Sequence, residues 1–236
     1  LNEVPATGSK FLQRDILKGD WGFEGFVVSD WGSIGEMIPH GYAKDGVHAA
    51  ELAANAGSDM DILLDLNFNV RTEGILKIIQ ELNSFDLFWL EIDHHNPQSL
   101  AYVRNKSPFP IASCETLLSG QQYLPYLQAQ SLDIVIVDGV WNGVWQSLKI
   151  ASLANTYDIN VAPHNFYGHL ATMMNAHFSA AIPNFRILET DIDRLSSDKE
   201  LFPTPPLIED SYLILPTTPG WGCDPDEDVL RSRATK

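Results

Sequence analysis

The sequence predicts an α/β protein of the (β/α)-barrel, TIM type, incomplete at about seven parallel strands. Three observations predict it. Six short apolar runs each close on a polar residue: Asp65, Glu91, Glu115, Asp138, His164 and Glu189. The intervals between these residues are 26, 24, 23, 26 and 25 positions. A buried parallel strand, a helix and two short loops need about that much chain. The segments between the runs carry apolar residues at helical spacing.

In chain order, Pro5-Ala6-Thr7-Gly8 reads as a turn, and Phe11, Leu12, Ile16 and Leu17 share a helical face that Gly19 can stop. The first strand is 26–30, Phe-Val-Val-Ser-Asp, which again ends in an acid. Gly32 through Gly41 reads as a long loop, and 45–56 as a helix followed by Gly57. The remaining strands are placed at 61–66, 87–92, 109–115, 133–138, 159–164 and 185–190. Helical spacing places helices at 72–82, 98–104, 119–129, 143–157 and 168–180. Beyond Glu189 prolines 203, 205, 206, 216 and 219 predict an ordered loop covering one end of the barrel. The charged end, 224–236, reads as a surface helix or a frayed terminus.

A chain of 236 residues can form one barrel-sized domain or two small ones. The net charge of −16 argues against nucleic acid or an anionic membrane as partner. It leaves room for an acidic substrate, because a bound cation inverts the local field. Cys114 and Cys223 form no CxxC pair, so neither a disulfide framework nor a zinc site follows, and Cys114 reads as a small buried residue. No apolar run approaches a membrane span. The chain begins at Leu1 with no charged-then-apolar leader, which leaves a removed targeting segment or a piece of a longer chain as readings. The expected compartment is the cytoplasm.

Asp65, Glu91 and Glu115 offer hard oxygen donors from successive strands, the kind Mg²⁺ prefers. A lone strand-end acid more often caps the helix that follows, but three in series favour a metal. Asp138 and His164 close consecutive strands. A carboxylate bound to one ring nitrogen fixes the tautomer and leaves the other nitrogen as base. His169 and His177 fall on the next helix and read as packing or surface residues; His94 and His95 read as loop residues at the mouth. Trp31, Trp89, Trp141 and Trp145 fit either sugar stacking or core packing.

Two resemblances sharpen this picture. Asn2-Glu3-Val4-Pro5-Ala6-Thr7-Gly8, then 19–32 with Ser29-Asp30-Trp31-Gly32, then Ala56-Gly57-Ser58-Asp59-Met60-Asp61, resemble glycoside hydrolase family 3, the β-glucosidases. That resemblance covers 1–61 and implies Asp30 as nucleophile. From residue 62 to 236 the motifs change. Asp65-Leu66-Asn67, Trp89-Leu90-Glu91, Ala112-Ser113-Cys114-Glu115, Val137-Asp138-Gly139 and Ala162-Pro163-His164 resemble the enolase superfamily. The similarity is to its mandelate racemase/muconate-lactonizing branch, which includes acid-sugar dehydratases. It implies Mg²⁺ held by Asp65, Glu91 and Glu115, a dyad of Asp138 and His164, and Glu189 as the acid of the last strand. It also implies abstraction of a proton α to a carboxylate and a small acid-sugar (aldonate) substrate.

The chain departs from that pattern in three respects. Glu91-Ile92-Asp93 stands where many relatives have Glu-Glu-Pro, and Val27-Val28-Ser29-Asp30 stands where a Lys-x-Lys base is expected. The capping domain of the superfamily is also expected to be absent. The expectation is therefore a chimera of two barrel pieces, 1–61 and 62–236, packed as one barrel. Its function is that of a Mg²⁺-dependent carbon–oxygen lyase. The alternatives are a retaining β-glucosidase-like hydrolase using Asp30, or an inactive barrel fragment whose open sheet edge lets copies associate as a homo-oligomer.

Overall fold

The computed structural model describes residues 4–23, 34, 37–56, 62–68, 70–83, 87–190, 199–209 and 212–234. The expected strand 26–30, with Asp30 and Trp31, lies outside the described residues, as does the expected join near 57–61. The chain divides into two compact units, Leu1–Ala112 and Ser113–Lys236.

In the first unit a short 3-10 turn at Ala6–Gly8 leads into α1 (Phe11–Asp20). This helix is wound wide: Trp21 N donates to Ile16 O, five residues back, at 2.9 Å. Gly19 lies inside its last turn and does not stop it. A Cβ on Gly8 would lie 2.6 Å from the Tyr42 ring and 2.8 Å from Met37 Sδ, so only glycine fits there. Met37 belongs to a small core with Ala43 and with Ala49 and Ala53 of α2 (Gly46–Ala56).

Three parallel strands follow: β1 (Ile62–Asp65), β2 (Leu87–Glu91) and β3 (Ile111–Ser113). Asp65 pairs in register with Glu91, and Glu91 with Ala112. The connections are α3 (Thr72–Glu81) and α4 (Pro97–Arg104). Ile75 and Ile79 of α3, one helical turn apart, are buried. Asn96 caps α4 by accepting from Ser99 N at 2.8 Å, and Pro97 occupies the first turn, where no N–H is needed. Leu82, Leu87 and Phe109 form a core with Leu64 and Ile78 packed on it.

In the second unit β4 (Ile134–Asp138) is buried at every position and pairs in parallel with β5 (Asn160–His164). An uninterrupted Ile-Val-Ile-Val run is what a strand covered on both faces requires. The register sets Asp138 beside His164. α5 (Ser119–Gln128) precedes β4 and sends the Tyr123 hydroxyl to Ile136 O at 3.3 Å. The expected helix 143–157 is α7 (Val144–Thr156), and a short helix that was not expected, α6 (Gly139–Asn142), precedes it. Gly143, at φ 71° and ψ 151°, leaves the helical region between them. α8 (His169–Ala180) follows β5 and is buried along most of its length.

The expected strand 185–190 is reduced to one bridge, Phe185 beside Val161. Val161 N donates to Asn184 O and Arg186 N to Val161 O, after which pairing ends. Phe185 is 40% exposed, so this run lacks the cover on both faces that holds a parallel strand. The proline-rich tail also differs from expectation. It forms an exposed antiparallel hairpin, β6 (Leu207–Glu209) and β7 (Tyr212–Ile214). The charged end forms the surface helix expected there, α9 (Glu227–Ala234). Phe202, Leu213, Leu215, Trp221 and Cys223 pack with Met173 and Leu170, so the tail covers a face of α8.

One packing contact ties the two strand ends together. A Cβ added to Gly139, just after β4, would stand 2.1 Å from Asn175 Oδ1 on α8. Asn175 itself donates to His164 O at 3.3 Å and to Asn165 Oδ1 at 3.1 Å. Gly139→Ala is expected to destabilise the chain by about 1–3 kcal/mol through overpacking. Urea midpoints of the variant and the parent chain check this, and equal midpoints would show that the Asn175 side chain can move aside.

Candidate active site

The centre of the second unit's chemistry is Asp138. The end of a fully buried strand leaves its side chain 1% exposed. Such a carboxylate must be paired or it would take up a proton. Oδ1 accepts from Val140 N at 2.8 Å and from Trp141 N at 2.7 Å, capping α6. Oδ2 accepts from His164 Nδ1 at 2.8 Å and from the Tyr167 hydroxyl at 2.5 Å. Burial pushes the Asp138 pKa up. The bonds from His164, Tyr167 and Trp141, with the charge of His164, outweigh it and hold the carboxyl below its ordinary value.

His164 presents its other nitrogen to two more carboxylates. Nε2 lies 3.8 Å from Glu115 Oε1 and 4.0 Å from Glu189 Oε2. Burial lowers the imidazole pKa, but the Asp138 bond and the charges of Glu189, Glu115 and Asp138 prevail and raise it above 6.5. Glu189 is set by its neighbour: Asn165 N donates to Glu189 Oε2 at 2.7 Å, and Asn165 Nδ2 to Glu189 O at 2.9 Å. Glu115 follows Cys114, whose φ of 88° is rare for a residue with a side chain. Such backbone persists where its surroundings enforce it, often beside functional groups. Cys114 is buried, as its small apolar character predicted.

The second unit thus brings together Glu115, Asp138, His164 and Glu189, all four singled out in the sequence. The first unit sets Asp65 and Glu91 side by side at the ends of β1 and β2. Among the described residues no three His, Cys, Asp or Glu side chains gather into a group that could hold a metal ion. The donor chemistry of Asp65 and Glu91, two carboxylates in register on adjacent strands, fits a hard divalent cation.

Tyr167 was not singled out in the sequence. It lies three residues beyond His164, in the loop before α8, and only the fold shows that the loop returns over the dyad. His169 and His177 are packing residues, edge-on to Phe202 and Trp221. His94 bonds Thr72 Oγ1 at 3.2 Å and accepts from Asn96 N; His95 stacks on Phe68. Trp89 is core, whereas Trp141 and Trp145 are 56% and 72% exposed, so packing does not account for those two. No described helix is long and apolar enough to cross a membrane.

Known proteins resemble the chain over part of their length. The chain is 29% identical over 214 residues to the D-xylonate dehydratase of Haloferax volcanii, covering 83% of this chain and 52% of that one. A solved structure of a putative L-alanine-DL-glutamate epimerase from Burkholderia xenovorans strain LB400, bound to magnesium and fumarate, superposes with a TM-score of 0.77 at 55% identity. It covers 81% of this chain and 48% of that one. A shorter likeness, 42% identity over 77 residues, is to a periplasmic beta-glucosidase of Salmonella typhimurium, taking 33% of this chain and 10% of that protein. The chain thus spans about half the length of the dehydratase and of the epimerase. Residues 23–229 match the family described as Enolase C-terminal domain-like, a span that begins well before residue 62. With most of its length inside that match, the chain belongs to the enolase C-terminal domain-like family.

Proposed function

We propose that this chain carries the base and the metal-binding carboxylates of a Mg²⁺-dependent acid-sugar dehydratase, a carbon–oxygen lyase built on a (β/α) barrel. The observation that carries the reading is the His164–Asp138 pair, with Nε2 left facing Glu115 and Glu189. Asp65, Glu91 and Glu115 would hold the Mg²⁺. When bound, the ion supplies Lewis acidity toward a substrate carboxylate, a pattern known for enolase-type sites.

The chain's own residues do the rest. With its proton on Nδ1, directed at Asp138, His164 has a lone pair on Nε2 for the proton α to the carboxylate. The imidazolium that forms is stabilised by Asp138, which stays ionised. Departure of the β-hydroxyl as water needs a proton, and His164 and Glu189 stand 4.0 Å apart to return one. The enol left behind then gives a 2-keto-3-deoxy acid. The substrate is a small acid sugar, which suits a strongly acidic protein only if a cation draws it in.

Exchange of the α-proton of an aldonate for solvent deuterium tests the reading, because it needs only the cation and one base. We expect Mg²⁺-dependent exchange by NMR, and a melting temperature that rises with Mg²⁺. Glu91→Gln should remove most of both effects. An undiminished Mg²⁺ shift in that variant would rule out Glu91 as a ligand.

The 77-residue likeness to a β-glucosidase favours a second reading, hydrolysis with Asp30 as nucleophile. A retaining glycosidase needs another carboxyl about 5–5.5 Å from the nucleophile. Metal-independent release of an aryl alcohol from an aryl β-glucoside, abolished by Asp30→Asn, would establish it. Absence of both activities would leave the inactive chimeric fragment.

A further inference from the structure

We infer that Tyr167 is a positioning residue. By donating to the same Asp138 oxygen that receives His164 Nδ1–H, it locks the pair in the one tautomer and ring orientation that leave Nε2 free as base. The inference rests on the proton-abstraction reading for its catalytic meaning, but its geometry stands alone.

A carboxylate oxygen has room for about two strong donors. On Asp138, Oδ1 is filled by the Val140 and Trp141 N–H groups, and Oδ2 by His164 and Tyr167. Rotation of the carboxylate would break all four bonds. Tyr167 thereby removes the freedom that would let Asp138 follow a tilting imidazole. The phenol ring also stands edge-on to the imidazole, at 5.6 Å between centroids and 89° between planes, and so walls one face of it. A flipped or tilted His164 ring would meet that edge.

The loop that carries Tyr167 is itself held. Asn165 Nδ2 bonds Thr172 Oγ1 at 3.0 Å and Glu189 O at 2.9 Å, and Thr172 N returns to Gly168 O at 3.1 Å. The hydroxyl also remains a donor. Burial and the Asp138 bond push the phenol well above its ordinary value of 10.0, so it keeps its proton wherever the pair works.

The test uses the full chain labelled with ¹⁵N-histidine, at a pH where the ring is neutral. His164 is identified by the signals lost in His164→Asn. We expect Nδ1 to show the protonated pattern and Nε2 the unprotonated one. Tyr167→Phe keeps the ring and its edge contact but removes the hydroxyl. It should populate the other tautomer, drawing the two ¹⁵N shifts together. Exchange of the aldonate α-proton should fall about tenfold with KM unchanged, the signature of a group acting on the reacting state.

Unchanged shifts and unchanged exchange in Tyr167→Phe would overturn the proposal. If the variant does not fold, the wild-type hydroxyl proton decides: a resonance slowed in exchange by the Asp138 bond supports the proposal, and its absence overturns it. Because the shifts are read without substrate, the expected tautomer change in a chain that shows no exchange would overturn the proton-abstraction reading and leave the positioning role standing.

Discussion

Asp138→Asn is expected to slow α-proton exchange by about 10²–10⁴-fold while costing the fold only about 1–2 kcal/mol. The asymmetry follows from the two oxygens. If the amide keeps its oxygen toward Val140 N and Trp141 N, the cap on α6 survives, and its NH₂ faces His164 Nδ1 and the Tyr167 hydroxyl. A donor facing Nδ1 forces the ring proton onto Nε2, which removes the base. If the amide flips, the ring keeps its tautomer but the NH₂ faces two N–H donors, and the cap is lost. The buried site favours the first arrangement, because two backbone donors are harder to satisfy elsewhere than one mobile ring. Exchange rates and urea midpoints of the variant and the parent chain separate the two. A large loss of stability with near-normal exchange would show that Asp138 is a cap and not the partner of a base.

The sequence made the strand ends legible because a buried parallel strand is written as an unbroken apolar run, and the residue that ends it is polar. Ile134–Asp138 and Asn160–His164 follow that rule, and their common register then pairs Asp138 with His164 without further information. The rule failed at 185–190, where Phe-Arg-Ile-Leu has the composition of a strand but lacks the cover that makes one. It also failed in the tail, where prolines signalled irregular chain but not the apolar side chains that dock on α8. Gly143 marked the head of α7, but the four-residue α6 before it is too short to carry a helical pattern. In the site, the acids and His164 carried a periodic signal. Tyr167 and Asn165 did not, because they act from a loop whose path depends on contacts far along the chain, with Thr172, Asn175 and Glu189. The left-handed turn at Cys114 was invisible for a different reason: a non-glycine residue there is held by its surroundings and not by its own preference.

His164→Asn is expected to abolish exchange, and its effect on stability should depend on pH in a direction that the pair itself determines. The imidazole pKa is raised in the folded chain above 6.5, despite burial, by the Asp138 bond and by Glu189 and Glu115. A raised pKa means that the folded state holds the proton more tightly than the unfolded one. That contribution is complete below about pH 6.5 and disappears as pH rises through the folded value. Asp138 works in the opposite sense. Its folded pKa lies below 3.8, so its contribution is present above that value and lost as pH falls through the folded one. The pair therefore stabilises the metal-free chain most between about pH 4 and pH 6.5. Urea midpoints of the wild type and His164→Asn, measured with a chelator present, should differ most in that window and converge at alkaline pH. The exchange limb, measured with Mg²⁺ present, should run the other way, rising with pH as the base loses its proton, with a midpoint set by the imidazole, whose metal-free pKa is raised above 6.5. Mg²⁺ at Glu115 would place positive charge near Nε2 and move that midpoint below the metal-free value. A gap between the two proteins that widens toward alkaline pH would mean that His164 enters the fold as a neutral, buried ring, and the base assigned to it would have to be sought elsewhere.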